Sequence, residues 1–197
     1  MEKTCLIFIF VEVFVLGGIC VLWSYRWVWR QKQQRRGLLW GRTPEPLRGI
    51  WVFTGTLTAL SFLYLTWYAA FDDDADQIDL PQLIAAYALF LVSATLWAPV
   101  TFHAIDAPRD RAPLWPSVMV VLNLVCTAAV ATWMVVVFLW HEENRTFVVV
   151  FASACMVVQH VVMDMLLWAY YFLSSPSTAT DAKGEENDTL LVRKWRV

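Results

Sequence analysis

Four side chains with chemical capacity stand inside long apolar runs of this sequence: Glu12, Asn123, His160 and Asp164. His160 and Asp164 are four residues apart, so on a helix they share a face. A histidine beside a carboxylate can exchange a proton near neutral pH. Together with Glu12, the pair would frame a polar pocket or a proton-linked site inside a helix bundle. The same side chains could instead hydrogen-bond one helix to the next. Gln159 precedes the pair, and His103 stands near the end of an earlier apolar run. Histidines and acids are too few and too scattered for a metal centre. The four cysteines, Cys5, Cys20, Cys126 and Cys155, show neither disulfide nor metal-ligand spacing and read as small packing residues. There is no glycine-rich phosphate loop, nucleophile elbow or HExxH pattern. Cys155 and His160 are five apart, off a common α-helical face. No enzyme is expected.

The elements that must hold these residues are set by composition. The chain is 59% hydrophobic and 16% charged, with a mean hydropathy of +0.52. Soluble domains are about 45–50% apolar and 25% charged. Runs this long cannot hide in a core of 197 residues, whereas a bilayer accepts about 20 apolar residues per helix. Five stretches qualify, at about 4–23, 50–71, 83–105, 114–140 and 147–173. Each must be helical, because lipid offers no partner to exposed backbone groups. No ten-residue alternating segments suggest a barrel. The expected fold is therefore all-α, an integral membrane bundle of five transmembrane helices over residues 1–173. The first run exceeds a usual signal core, contains Glu12 and lacks a small-x-small cleavage site, so it is read as a retained span.

Basic residues give the orientation. All lysines and arginines except Lys3 and Arg145 fall after the first span, after the third span or in the tail. By the positive-inside rule the N-terminus is outside or lumenal and the C-terminus cytoplasmic. Trp23, Trp27, Trp29, Trp67, Trp115 and Trp140 sit near span ends, as interfacial belts favour. Trp97 and Trp133 lie deeper. The linker 24–49 is basic and could meet anionic headgroups. The loop carrying Asp72, Asp73, Asp74 and Asp76 is acidic but matches no EF-hand. Residues 174–197 read as a disordered cytoplasmic tail. Its Trp195-Arg196-Val197 end has a form some PDZ domains accept. The sequons at Asn144 and Asn187 are expected to be unused. No internal repeat supports an inverted-repeat transporter.

Three short motifs resemble the tryptophan-rich sensory protein / translocator protein (TspO) family. Pro44-x-Pro46 followed by Trp51-Val52-Phe53 is similar to that family's proline pair and Trp-Val-Phe. Trp97-Ala98-Pro99-Val100-Thr101-Phe102 resembles its Trp-x-Pro-x-Phe-Phe signature. Asp164 stands four residues before Trp168, where the family has Asn and then Trp. The chain departs from the family at Gly55 and Leu57, which replace Pro and Trp. Ala94 and Thr95 replace an Asn-Trp pair, and no cation follows Tyr170 and Tyr171 closely. The resemblance would cover residues 4–173 and implies a cavity for a flat apolar ligand, a porphyrin or a sterol, opening toward the first cytoplasmic loop. By the same resemblance Trp51, Phe53, Trp97, Phe102 and Trp168 would line it, and Pro99 would bend the third span to open space. Aromatic walls suit such ligands, since flat rings stack and bury much apolar area.

The leading expectation is thus binding, with or without transport, of a small hydrophobic ligand in the bundle. One rival is a small channel or proton-coupled carrier using Glu12, His160 and Asp164. Another is a membrane scaffold or assembly subunit. The partners implied are the lipid bilayer and a small hydrophobic ligand, with homo-oligomerisation left open and no nucleic acid, the net charge being −2.

Overall fold

The computed structural model describes residues 3–31, 39–40, 43–72, 78–106, 115–140 and 146–174. The acidic stretch at Asp73, Asp74 and Asp76, both sequon asparagines, most loop cations and the tail beyond Ser174 lie outside the described residues. Among the described residues the chain is all-helical, with five helices each long and apolar enough to cross a membrane.

Helix α1 is Lys3–Trp29. It runs six residues past the expected span end, because nothing between Ser24 and Trp29 breaks a helix. Helix α2 is Glu45–Phe71, with Pro44 at its N-cap and a proline in its first turn. A proline is tolerated there because the N–H it lacks would have no partner in any case. Helix α3 is Leu80–Asp106. Asp79 caps it by accepting from the Gln82 backbone N–H at 3.1 Å, satisfying one orphan donor of the first turn. Pro99 lies inside α3. Helix α4 is Trp115–Leu139. Helix α5, Phe147–Leu173, starts at Thr146, whose hydroxyl accepts from Val149 N–H at 3.4 Å.

Helix α5 is not α-helical throughout: Val158–Trp168 winds as a π-helix. π-helices are rare, mostly single turns, and frequent at functional sites. Eleven residues is an extended case. A wider turn brings residues four and five apart onto one side, which matters below.

The helices form a ring. α3 packs most heavily on α1 and α4, α5 packs on α4 and α2, and α2 touches α1 only lightly. α2 also meets α3 at one end of the bundle, where Phe62 stacks on Tyr87 at 4.8 Å and Thr66 bonds the Tyr87 hydroxyl at 3.0 Å. That end holds the largest core cluster, built on Phe10, Leu65, Tyr87, Met134, Phe138 and Met156. The opposite end holds two smaller aromatic clusters centred on Trp168 and on Phe102. Between α3 and α4, Asn123 donates from Nδ2 to the Ser93 carbonyl and hydroxyl oxygens, both at 3.1 Å. The Thr127 hydroxyl pairs with that of Ser93. This knot pairs the Asn123 amide nitrogen and the Ser93 and Thr127 hydroxyls, which would otherwise be costly between apolar helices, and leaves the buried Asn123 Oδ1 without a hydrogen-bond partner among the described residues.

Candidate functional site

The π-helical part of α5 turns Gln159, His160 and Asp164 toward the middle of the bundle. In an α-helix Gln159 and Asp164, five apart, would point to different sides. Here the Gln159 Nε2 donates to Asp164 Oδ1 at 2.9 Å. His160 Nδ1 lies 3.0 Å from Asp164 Oδ2. From α2 the Trp51 indole N–H donates to Asp164 Oδ1 at 2.6 Å. Three side chains thus converge on the two oxygens of Asp164, which serves as a hub.

Helix α2 supplies a polar stripe at helical spacing: Trp51, Thr54, Gly55 and Thr58. The Thr54 hydroxyl donates to Gln159 Oε1 at 2.7 Å, and the Thr58 hydroxyl to the Cys155 carbonyl at 2.9 Å. Gly55 faces the Gln159 amide, which a Cβ there would meet at 3.9 Å, ordinary contact distance. This stripe was legible as a 3, 4, 7 spacing of small polar residues beginning at Trp51. Hydropathy alone passes over threonine in an apolar run.

The hub sits beside an aromatic cluster. Trp168 is 1% exposed. It stacks on Phe172 at 4.6 Å and meets Trp97 edge-on at 5.8 Å and Trp51 at 6.3 Å. Its indole N–H donates to the Leu39 carbonyl at 2.8 Å, tying the segment before α2 across the end of α5. Trp40 from that segment lies edge-on to Trp51 at 4.8 Å, and the Arg48 guanidinium lies 5.7 Å from the Trp40 ring centre. Between α2 and α5 a cleft lined by Thr43, Leu47, Trp51, Met163, Leu167, Trp168 and Tyr171 narrows to about 10 Å³. That is room for a single water. Drug-sized ligands occupy pockets of roughly 300–1,000 Å³. In this conformation the aromatic side chains fill the space themselves.

The structure therefore brings together Trp51, Trp97, His160, Asp164 and Trp168, and separates the others. Phe53, expected to line the cavity, is 64% exposed on the outside of α2. It follows Trp51 by two residues, about 200° around the helix, so the two cannot face one space. Pro99 is also on the outside. Phe102 is buried against Val28, Leu39 and Ala98, with Trp97 packed on the same cluster and Trp27 edge-on at 5.1 Å, and is not among the residues lining the cleft. Asn123 belongs to the α3–α4 knot. Glu12, expected near His160 and Asp164, is exposed on the outer face of α1. Gly17, on the opposite face, is the residue that lets α1 lie close to Leu91 of α3.

Two features of the hub were not expected. Gln159 is a full member, through the π-helical winding. The His160 Nε2 is buried and has no hydrogen-bond partner among the described residues, and the ring meets Phe90 edge-on at 5.0 Å. No group of three or more histidine, cysteine, aspartate or glutamate side chains suited to a metal occurs among the described residues. No protein-family model, curated protein or solved structure matches the chain.

Proposed function

We propose that the chain spans a bilayer five times, with its N-terminus outside and its tail cytoplasmic. In this reading the α2–α5 junction binds a small, flat, largely apolar molecule of porphyrin or sterol type. The observation that carries the proposal is the Asp164 hub set against the cluster of Trp51, Trp97, Trp168 and Phe172. An acidic side chain at membrane depth costs roughly 2.5–3.5 kcal/mol on insertion scales. The Trp51 and Gln159 N–H donors and the His160 ring nitrogen around Asp164 offset that cost, and a ligand hydroxyl or N–H could take the place of the Trp51 N–H. The neighbouring indoles offer stacking surface. Entry requires α2 and the Leu39–Trp40 segment to move off α5, opening a cleft now closed to about 10 Å³. The short motifs shared with the TspO family point to the same ligand class, with Trp51, Trp97, Asp164 and Trp168 as its contacts.

Titration of protein in lipid nanodiscs with protoporphyrin IX, and separately with cholesterol, tests this through tryptophan fluorescence. Saturable quenching, or a saturable spectral shift with the sterol, is expected at micromolar ligand, weakened by Trp51→Phe and Trp168→Phe. No saturable response to either ligand would sink the proposal.

A second reading has its own observation, the 3.0 Å contact of His160 with Asp164 and the unpartnered Nε2 of the same ring. Such a pair can carry a proton. In that case liposomes holding a pH-sensitive dye acidify across the protein, and Asp164→Asn abolishes the flux.

A further inference from the structure

Glu12 belongs to a different part of the molecule from the α2–α5 hub. It lies nine residues past Lys3, about 14 Å along the axis of α1. Its side chain is exposed and has no hydrogen-bond or ion-pair partner among the described residues. At 100° per residue, Cys5, Phe8, Leu16, Ile19 and Trp23 share its face, and all five are exposed. Gly17 marks the opposite face, packed so tightly on α3 that a Cβ would come within 2.5 Å of Leu91. Of the 27 residues of α1 only Phe10, Ser24 and Val28 are buried. One helix of the bundle thus turns a broad apolar face outward, with a bare carboxylate at its centre.

We propose that this face of α1 docks a transmembrane helix of another membrane protein, one that carries a lysine or arginine at mid-depth opposite Glu12. The inference rests on the five-span reading given above. Lipid supplies no donor and no counter-charge to a carboxylate at that depth, and such acids seldom stand unpaired. A cation on a neighbouring helix supplies both, as a charge-assisted hydrogen bond in a low-dielectric setting. Phe8, Leu16 and Ile19 supply the apolar contact on either side. A second copy of this chain fits the face less well. A two-fold pairing through α1 sets Glu12 against Glu12, a like-charge contact. The five described helices have no cation of their own to offer there. Lys3 and Arg26 lie at the ends of α1, Arg48 lies in the first turn of α2, and α3, α4 and α5 contain no lysine or arginine.

The test uses the full chain in liposomes, carrying a fluorescent donor, and two synthetic polyleucine helices carrying an acceptor. One helix has a single central lysine and the other a leucine there. Energy transfer to the lysine helix is expected at about tenfold lower peptide-to-lipid ratio, the scale of an interhelical polar contact in model peptides. Glu12→Leu should bring the two helices level. That variant places an apolar side chain on an exposed apolar face and leaves the bundle core untouched. Equal transfer to both helices in the wild type, or a lysine preference that survives Glu12→Leu, overturns the proposal. Self-association of the wild type that Glu12→Leu abolishes also overturns it, in favour of a second copy. Flotation with the liposomes is read alongside. Protein that floats but does not discriminate loses the docking surface alone, and protein that fails to float loses the five-span reading as well.

Discussion

Asp164 draws side chains from α2 and α5 onto one carboxyl group, and its chemistry can be divided by substitution. Asparagine keeps an oxygen for the Trp51 and Gln159 donors but removes the charge beside His160. Leucine leaves the Trp51 and Gln159 donors without their acceptor and His160 without its partner. Stranding a buried donor costs about 1–3 kcal/mol. Asp164→Leu is therefore expected to lose several times the stability that Asp164→Asn loses, read as unfolding in detergent micelles by tryptophan fluorescence. Equal losses would mean that the charge, and not the hydrogen bonding, holds α2 to α5. Trp51→Phe keeps an aromatic side chain, though a smaller one, and removes the N–H bonded to Asp164 at 2.6 Å. A loss of about 1.5–3 kcal/mol is expected in the same assay, the range for hydrogen bonds to charged groups.

Between elements, the adjacent glycines of α1 separate packing from propensity. A Cβ at Gly17 would meet the Leu91 Cδ1 at 2.5 Å and its Cβ at 2.8 Å, and the Leu91 Cβ cannot swing aside. A Cβ at Gly18 meets nothing within 4 Å. Gly17→Ala should therefore destabilise by about 1–3 kcal/mol through overpacking. Gly18→Ala should be neutral or gain up to about 1 kcal/mol from helix propensity. Thermal unfolding followed by circular dichroism distinguishes them, and matching shifts would show that α1 does not pack on α3 through Gly17. The α2–α5 contact is built differently, from hydroxyl and amide groups of Thr54, Thr58 and Gln159. The cleft where the ligand is proposed to enter lies in the same seam, lined by Leu47, Met163 and Leu167, so opening it uncovers apolar surface that a flat apolar ligand would cover again.

For the molecule as a whole, the distribution of cations makes the five-span arrangement testable without a ligand. Tags at the two termini should be accessible from opposite sides of sealed vesicles, the N-terminal tag and the exposed Cys5 from the outside. Protease protection and an impermeant maleimide measure this. Both termini accessible from one side would undo the topology, the cytoplasmic placing of the cleft and the lipid-facing assignment of Glu12 together. The two ends of the bundle also differ in build. The end near Tyr87 and Phe138 is a continuous apolar core, while the end near Trp168 carries the hub, the cleft and the Leu39 strap.

Five apolar helices, with limits to within six residues, followed from the amino-acid sequence alone. Span length and apolar character are local properties, and a chain of this composition can satisfy its backbone in an apolar medium only as helices. The spacing of His160 and Asp164 likewise showed that the two would meet. The rotation of each helix about its own axis was decided by tertiary contacts, and with it the site. Trp51 reaches Asp164 across 113 residues of sequence, and Phe53 turns outward because Trp51 turns in. Gln159 joins because α5 widens to a π-helix, which no α-helical spacing anticipates. Glu12 faces away because Gly17 lets α3 take the other side of α1. In runs that are apolar on every side, hydropathy carries little information about which face meets a neighbour. Only the fit of one helix surface to another supplies it.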